Sequence, residues 1–147
     1  MATVASVLQV SLPSDAGVDS VNILPALLGS RHRRPLREAT VHHSGSGKFS
    51  IRKGNWVLIL ARTGDDNGRQ GEPQWFREAR GYSAHTSAGE LYDLSRDPGQ
   101  RLNRYDVEPE KVRELAALME QYVLSGRSTP GPHQKNDVEI VWDKRVK

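Results

Sequence analysis

The spacing of apolar positions changes twice along the chain, and each change marks a change of element. Val4, Val7 and Leu8 recur at helical spacing, which predicts a short opening helix within residues 1–10. Ser11-Leu12-Pro13-Ser14-Asp15-Ala16-Gly17 reads as a loop from its Pro, Ser and Gly content. A second short helix is expected from Ser20 to Leu28, with Asp19 or Ser20 as its cap and Gly29 at its end. Pro25 leaves the register of that helix open, because it cannot donate a backbone hydrogen bond and suits only a first turn. From Ala39 onward the period becomes two. Ala39–Ser44, Phe49–Arg52 and Trp56–Leu60 are β-rich runs joined by Gly45-Ser46-Gly47 and Lys53-Gly54-Asn55, links short enough to predict antiparallel hairpins. Phe49 and Ile51 fall on one face and Ser50 and Arg52 on the other, the alternation of a sheet wet on one side. A fourth strand, Glu90–Leu94, ends in the turn Ser95–Gly99.

Residues 62–88 break every period with Gly64, Gly68, Gly71, Gly81 and Pro73. They read as a long insertion that Trp75, Phe76 and Tyr82 pin to the body, of a length that also suits a lid or binding edge. The period returns to helical at Pro109–Ser125, where Val112, Leu115, Ala116, Met119, Tyr122 and Val123 form one stripe. Pro109 suits the first helical position, Glu108 and Glu110 complement the amino-terminal dipole, and Gly126 suits the C-cap. Arg127–Pro132 should then leave as an extended segment, with Val138–Trp142 as one more edge strand. The fold class that follows is α+β: an antiparallel sheet of about four strands with a carboxy-terminal amphipathic helix packed on one face.

Composition narrows the chemistry. The 147 residues fit one domain, and the longest apolar runs, such as Val57–Ala61, fall far short of the roughly 20 residues of a membrane span. The absence of cysteine excludes disulfides, thiolate metal sites and a cysteine nucleophile. The first residues carry no positive n-region and no adequate apolar core, so a chain expressed as written is expected in the cytoplasm. The net charge of +3 is uneven, with Arg31, Arg33, Arg34 and Arg37 gathered around His32. That cluster suits a solvated connection; as a function it would make the chain an independent basic module for a sulfated glycan or nucleic acid. It lacks the interleaved aromatics of a single-strand-binding surface, which argues against nucleic acid.

Four segments, taken in order, resemble the carboxy-terminal subdomain of bacterial sulfatases of the arylsulfatase class, within the alkaline-phosphatase-like superfamily. They are Ser11–Gly17 with Asp19-Ser20 and Leu24–Gly29; Val41–Ser44 followed by Phe49–Trp56; Leu91–Leu94 with Asp97-Pro98 and Asn103; and Gly126–Pro132. The resemblance covers nearly the whole chain and departs from the family at Gln100 and at Asn103-Arg104, which should alter a surface turn. It implies that residues 1–38 are a helical segment and loop normally joined to an upstream catalytic domain, and that residues 39–147 are the subdomain closing one side of the cleft. It also implies a family activity, sulfate ester hydrolysis by a formylglycine nucleophile with a divalent cation, usually calcium. In the full-length family those groups lie upstream, and many members are periplasmic or secreted. This chain would carry no catalytic residue, no metal ligand and no cofactor of its own, its partner being the catalytic domain and the sulfate ester a substrate only of the full-length enzyme.

Local candidates are few. Ser11-Leu12-Pro13-Ser14 imitates the start of the formylglycine motif, but Asp15 stands where arginine is required and would repel sulfate. His42 and His43 are adjacent on a strand, so they face opposite ways and cannot chelate one ion together. His32, His85 and His133 lie in separate loops. Asp65-Asp66-Asn67 lacks the remaining ligands of a calcium loop and reads as a solvated turn, and Gly45-Ser46-Gly47-Lys48 lacks the spacing of a phosphate loop. Possible contacts with a substrate cleft are therefore His42, His43, Lys48 and Arg52.

Overall fold

A computed structural model describes residues 1–31, 34–65 and 71–145. The chain forms two compact units, Met1–Glu38 with Glu120–Glu139, and Ala39–Met119 with Ile140–Lys147. The second unit is built on an antiparallel sheet of four strands in the order β1-β2-β3-β4: β1 Thr40–His43, β2 Phe49–Lys53, β3 Trp56–Ile59 and β4 Glu90–Asp93. Register aligns Val41, Ile51, Leu58 and Leu91 in one row across the sheet. The last three are fully buried, so this row is the centre of the core.

The carboxy-terminal helix, Pro109–Ser125, starts and stops where its caps predict, and packs on that face. Val112, Leu115, Leu118 and Met119 are buried, Leu118 widening the stripe read from the sequence. Each large member contributes on the order of 2 kcal/mol of gross transfer free energy. Lys53 on the same face as Ile51 pairs with Glu114 at 3.5 Å, and Lys111 Nζ lies 5.8 Å from the Trp56 ring centre.

The opposite face is not wet along its whole width. Glu90 and Tyr92 alternate with Leu91 and so point away from the helix, yet each is only 2% exposed. The covering comes from the insertion, through Gly64, Tyr82 and His85, and within it a short helix that the spacing did not predict, Gln74–Ala79, follows Pro73. Glycines on either side break the period that would have announced this helix, and local contacts such as Gln74 Nε2 to Glu78 Oε1 at 2.6 Å stabilise it. Of the three aromatics expected to pin this segment, only Tyr82 does so. Trp75 and Phe76 are exposed and pack edge to face with each other.

In the first unit, one helix covers Ala2–Val7 and another Leu24–Leu27. The second is shorter than predicted and begins after Ile23, with Pro25 in its first turn. The expected caps serve other groups: Ser20 Oγ accepts from Ala2 N at 2.8 Å, and Asp19 Oδ1 from Ser128 N at 2.8 Å. Residues 127–132 do not run out extended. They curl around the buried Arg127 guanidinium, which donates to Thr129 O, Pro132 O and Ser14 O. A buried cation must be hydrogen-bonded on its fork of donors, and backbone oxygens supply the acceptors.

The expected strand at Val138–Trp142 does not form. Val138 and Val141 are exposed, and an isolated parallel bridge joins Ala61 to Lys144, with Lys144 N donating to Leu60 O at 2.8 Å. Ile140 and Trp142 are half-buried, but no strand pairs with the Val138–Trp142 run among the described residues, so its β-propensity goes unused. Among the described residues, no helix is long and apolar enough to cross a membrane.

Candidate functional site

The hairpin that joins β1 to β2 carries the polar residues singled out from the sequence. Ser44 N donates to Lys48 O at 2.9 Å and Gly47 N to Ser44 O at 3.0 Å, closing the turn. Register sets His43 opposite Phe49 on the helix-covered face and His42 opposite Ser50 on the other. His43 stacks on Phe49 with ring centres 5.4 Å apart, and its Nδ1 lies 3.0 Å from Ser44 O. His42, His43, Ser44, Lys48, Phe49, Ser50, Ile59 and Gly64 line a hollow of about 240 Å³ at this corner of the sheet. Three of the four candidates thus come together. Arg52 does not join them: it lies farther along β2, where its Nε donates to Gly54 O at 3.0 Å.

Lys48 reaches across the hollow to the insertion, donating to the backbone oxygen of Asp65. An ammonium has three donors, so this contact fixes the side chain without exhausting it. Asp65 is not solvated as its polar neighbours suggested. Its side chain is largely buried, accepts from Glu72 N and lies 3.8 Å from Arg77, so it holds the insertion's chain in place. Asp66 and Asn67, the rest of that acidic run, lie outside the described residues, as do His32 and Arg33 of the basic cluster. Arg37 of that cluster donates to Asp19 O at 2.7 Å, and Arg31 and Arg34 are exposed.

Sequence reasoning missed the buried group behind the hollow. Glu90 Oε2 accepts from Gly64 N at 2.9 Å, and Glu90 Oε1 lies 3.0 Å from Tyr82 Oη and 2.9 Å from His85 Nε2. Burial, then the nearby Glu90 charge, pushes the Tyr82 phenol above its ordinary range, partly offset by its hydrogen bond with Thr63. His85 Nδ1 is buried and has no partner among the described residues. No local signal marked it: alternation sets Glu90 and Tyr92 on the face opposite Leu91, which reads as wet, and only its covering obliges the carboxylate to find donors. A Cβ at Gly64 would stand 2.6 Å from Ile59 Cδ1 and 3.1 Å from Glu90 Oε2, so a larger residue there would have to displace the tip of Ile59. Among the described residues, no group of three or more His, Asp or Glu side chains is placed to hold a metal ion.

No family model matches the chain. A curated N-acetylgalactosamine-6-O-sulfatase of Bacteroides thetaiotaomicron is 34% identical over 119 residues, which are 81% of this chain and 21% of that protein. This chain is a sulfatase homologue. A solved structure from glycosaminoglycan metabolism in the same organism is 32% identical with a TM-score of 0.60, over 82% of this chain and 23% of its own. A 2-O glycosaminoglycan sulfatase, 18% identical with a TM-score of 0.51, shares the fold over 82% of this chain and 23% of its own. The homologue matches them as a carboxy-terminal portion and spans less than a quarter of the length of these relatives.

Proposed function

We propose that this sulfatase homologue is the carboxy-terminal fragment of a sulfatase, without turnover of its own, and that its sheet completes one wall of the substrate cleft. In this reading residues 1–38 join the upstream catalytic domain and residues 39–147 are the subdomain. The observation that carries it is the asymmetry of the match, 81% of this chain against 21% of a named sulfatase. The family activity is sulfate ester hydrolysis, and the formylglycine and divalent cation belong to the catalytic domain. Among the described residues no group of three or more His, Asp or Glu side chains is placed to hold the cation. The chain has no cysteine, and the Ser11–Ser14 run is followed by Asp15. The carbonyl of Ser14 accepts from the buried Arg127, which gives that run a structural role.

What the chain contributes is position and charge. Lys48 and the imidazoles of His42 and His43 edge the hollow and supply donors for the oxygens of an anionic substrate. Lys48, fixed on the Asp65 carbonyl, needs little reorganisation to meet developing charge, whereas His42 and His43 are exposed on the hairpin. Arg52 is the weakest of the four candidates, because it faces Gly54 instead.

The test has two arms. The isolated chain, assayed with calcium and an aryl sulfate, should show no turnover above a buffer blank. With this chain in place of the matched segment of the N-acetylgalactosamine-6-O-sulfatase, turnover should be retained. In that chimera, His42→Ala with Lys48→Ala should raise KM about tenfold, while Arg52→Ala stays within about twofold. Turnover by the isolated chain, or a chimera indifferent to His42 and Lys48, refutes the proposal.

A further inference from the structure

The helix Ala2–Val7 carries its apolar stripe outward. Val4, Val7 and Leu8 are 60%, 58% and 64% exposed, and only Ala5 of this helix is buried. The neighbouring helix Leu24–Leu27 adds Leu27 and Leu28, both more than two-thirds exposed. The two are tied together at Thr3, whose hydroxyl accepts from Ile23 N at 3.1 Å. A six-residue helix is too short to persist on propensity and needs an apolar face packed on something. Here the residues at helical spacing are the ones left in water.

We infer that Val4, Val7, Leu8, Leu27 and Leu28 form the docking surface for the body of a sulfatase, the part of the relatives to which this chain has no counterpart. The inference rests on the fragment reading and adds the face by which the fragment is held. Two observations favour that occupant. The matched relatives are more than four times as long as the matched part, so most of a homologous enzyme is available to cover the face. The patch is also small. Five aliphatic side chains, at roughly 60 to 120 Å² each, give on the order of 300 to 600 Å². That falls short of the roughly 800 Å² per partner of a stable complex between separate chains, but it suits segments of one chain, whose effective concentration is high.

The test uses the same chimera with Val4→Gln, Leu8→Gln and Leu28→Gln combined. Because these side chains are exposed, the isolated chain should melt at an unchanged temperature. In the chimera the triple variant should release the segment to limited proteolysis at least tenfold faster, while Leu102→Gln with Val107→Gln, exposed elsewhere, should not. Equal protection of wild type and triple variant overturns the assignment. So does an isolated wild-type chain that is a dimer by light scattering and becomes a monomer in the triple variant, since the face would then belong to a second copy. A wild-type chimera that fails to fold where the parent sulfatase folds sinks the fragment reading as well.

Discussion

Glu90 is the side chain whose removal should cost the sheet unit most for its size. It is 2% exposed and meets Gly64 N, Tyr82 Oη and His85 Nε2 within 3.0 Å. Glu90→Ala strips the acceptor from these groups while they remain covered, and breaking a buried charged network of this kind costs about 3 to 5 kcal/mol. Part of that is returned, because a desolvated carboxylate is no longer held away from water, so the lower end, about 3 kcal/mol, is the expected value. For a unit of this size, that lowers the melting temperature by on the order of 10 °C or more. Glu90→Gln should be milder, about 1 to 2 kcal/mol. Its amide oxygen can keep Gly64 N, while its amide nitrogen donates to Tyr82 Oη or to an unprotonated His85 Nε2. Thermal unfolding by far-ultraviolet circular dichroism gives the order, and hydrogen exchange gives the place: protection should fall first at Gly64 and around Tyr82. Should Glu90→Ala melt within 2 °C of wild type, the carboxylate does not hold the insertion to the sheet.

Two further substitutions test separate joints. Gly126 has φ +63°, and an added Cβ would stand 2.1 Å from Gln134 O, so Gly126→Ala combines left-handed strain with a backbone clash and should cost about 2 to 4 kcal/mol in urea unfolding. Gly45→Ala, with open space around it, should stay within about 0.5 kcal/mol as the control. Hydrogen bonding from Arg145 holds the Asp143 carboxyl below its ordinary range. A depressed folded-state pKa adds stability above the unfolded value of about 4, which is lost as pH falls through the folded value. The gap in melting temperature between wild type and Asp143→Asn should therefore be open at pH 7 and close toward pH 3; a gap constant across that range contradicts the pairing.

The strands and the long helix were legible because their signals are periodic and local. Phe49 and Ile51 alternate with Ser50 and Arg52, and Val112, Leu115 and Met119 repeat around one helical face. The misses share a different cause. Asp19 and Ser20 have the chemistry of caps, but Ser128 and Ala2, distant in sequence, take their oxygens. Arg127 follows a helix end and so reads as the start of a tail, yet carbonyls on both sides of the chain's span draw it inward. Val138–Trp142 has the composition of a strand without a neighbour to pair with. For Asp19, Ser20 and the Ser14 contact of Arg127 the partner lies far along the chain, where propensity and spacing carry no information.

The hollow extends that reasoning from fold to site. His42 and Lys48 could be picked out as polar groups beside a hairpin, but the far side of the hollow comes from residues with no such signal. Ile59 and Gly64 line it, and Gly64 N is fixed by Glu90 from behind. Lys48 is oriented by the carbonyl of Asp65, whose own side chain is fixed by Glu72 N and Arg77. The hollow is therefore shaped by the insertion's attachment to the sheet, and under the proposed cleft role a substitution at Glu90 should disturb ligand contacts without touching the ligand. In the chimera, Glu90→Gln should raise KM alongside His42→Ala with Lys48→Ala. It should act less than additively with that pair, because it moves the same hollow that the pair lines. Full additivity would mean that the buried carboxylate and the polar edge act independently.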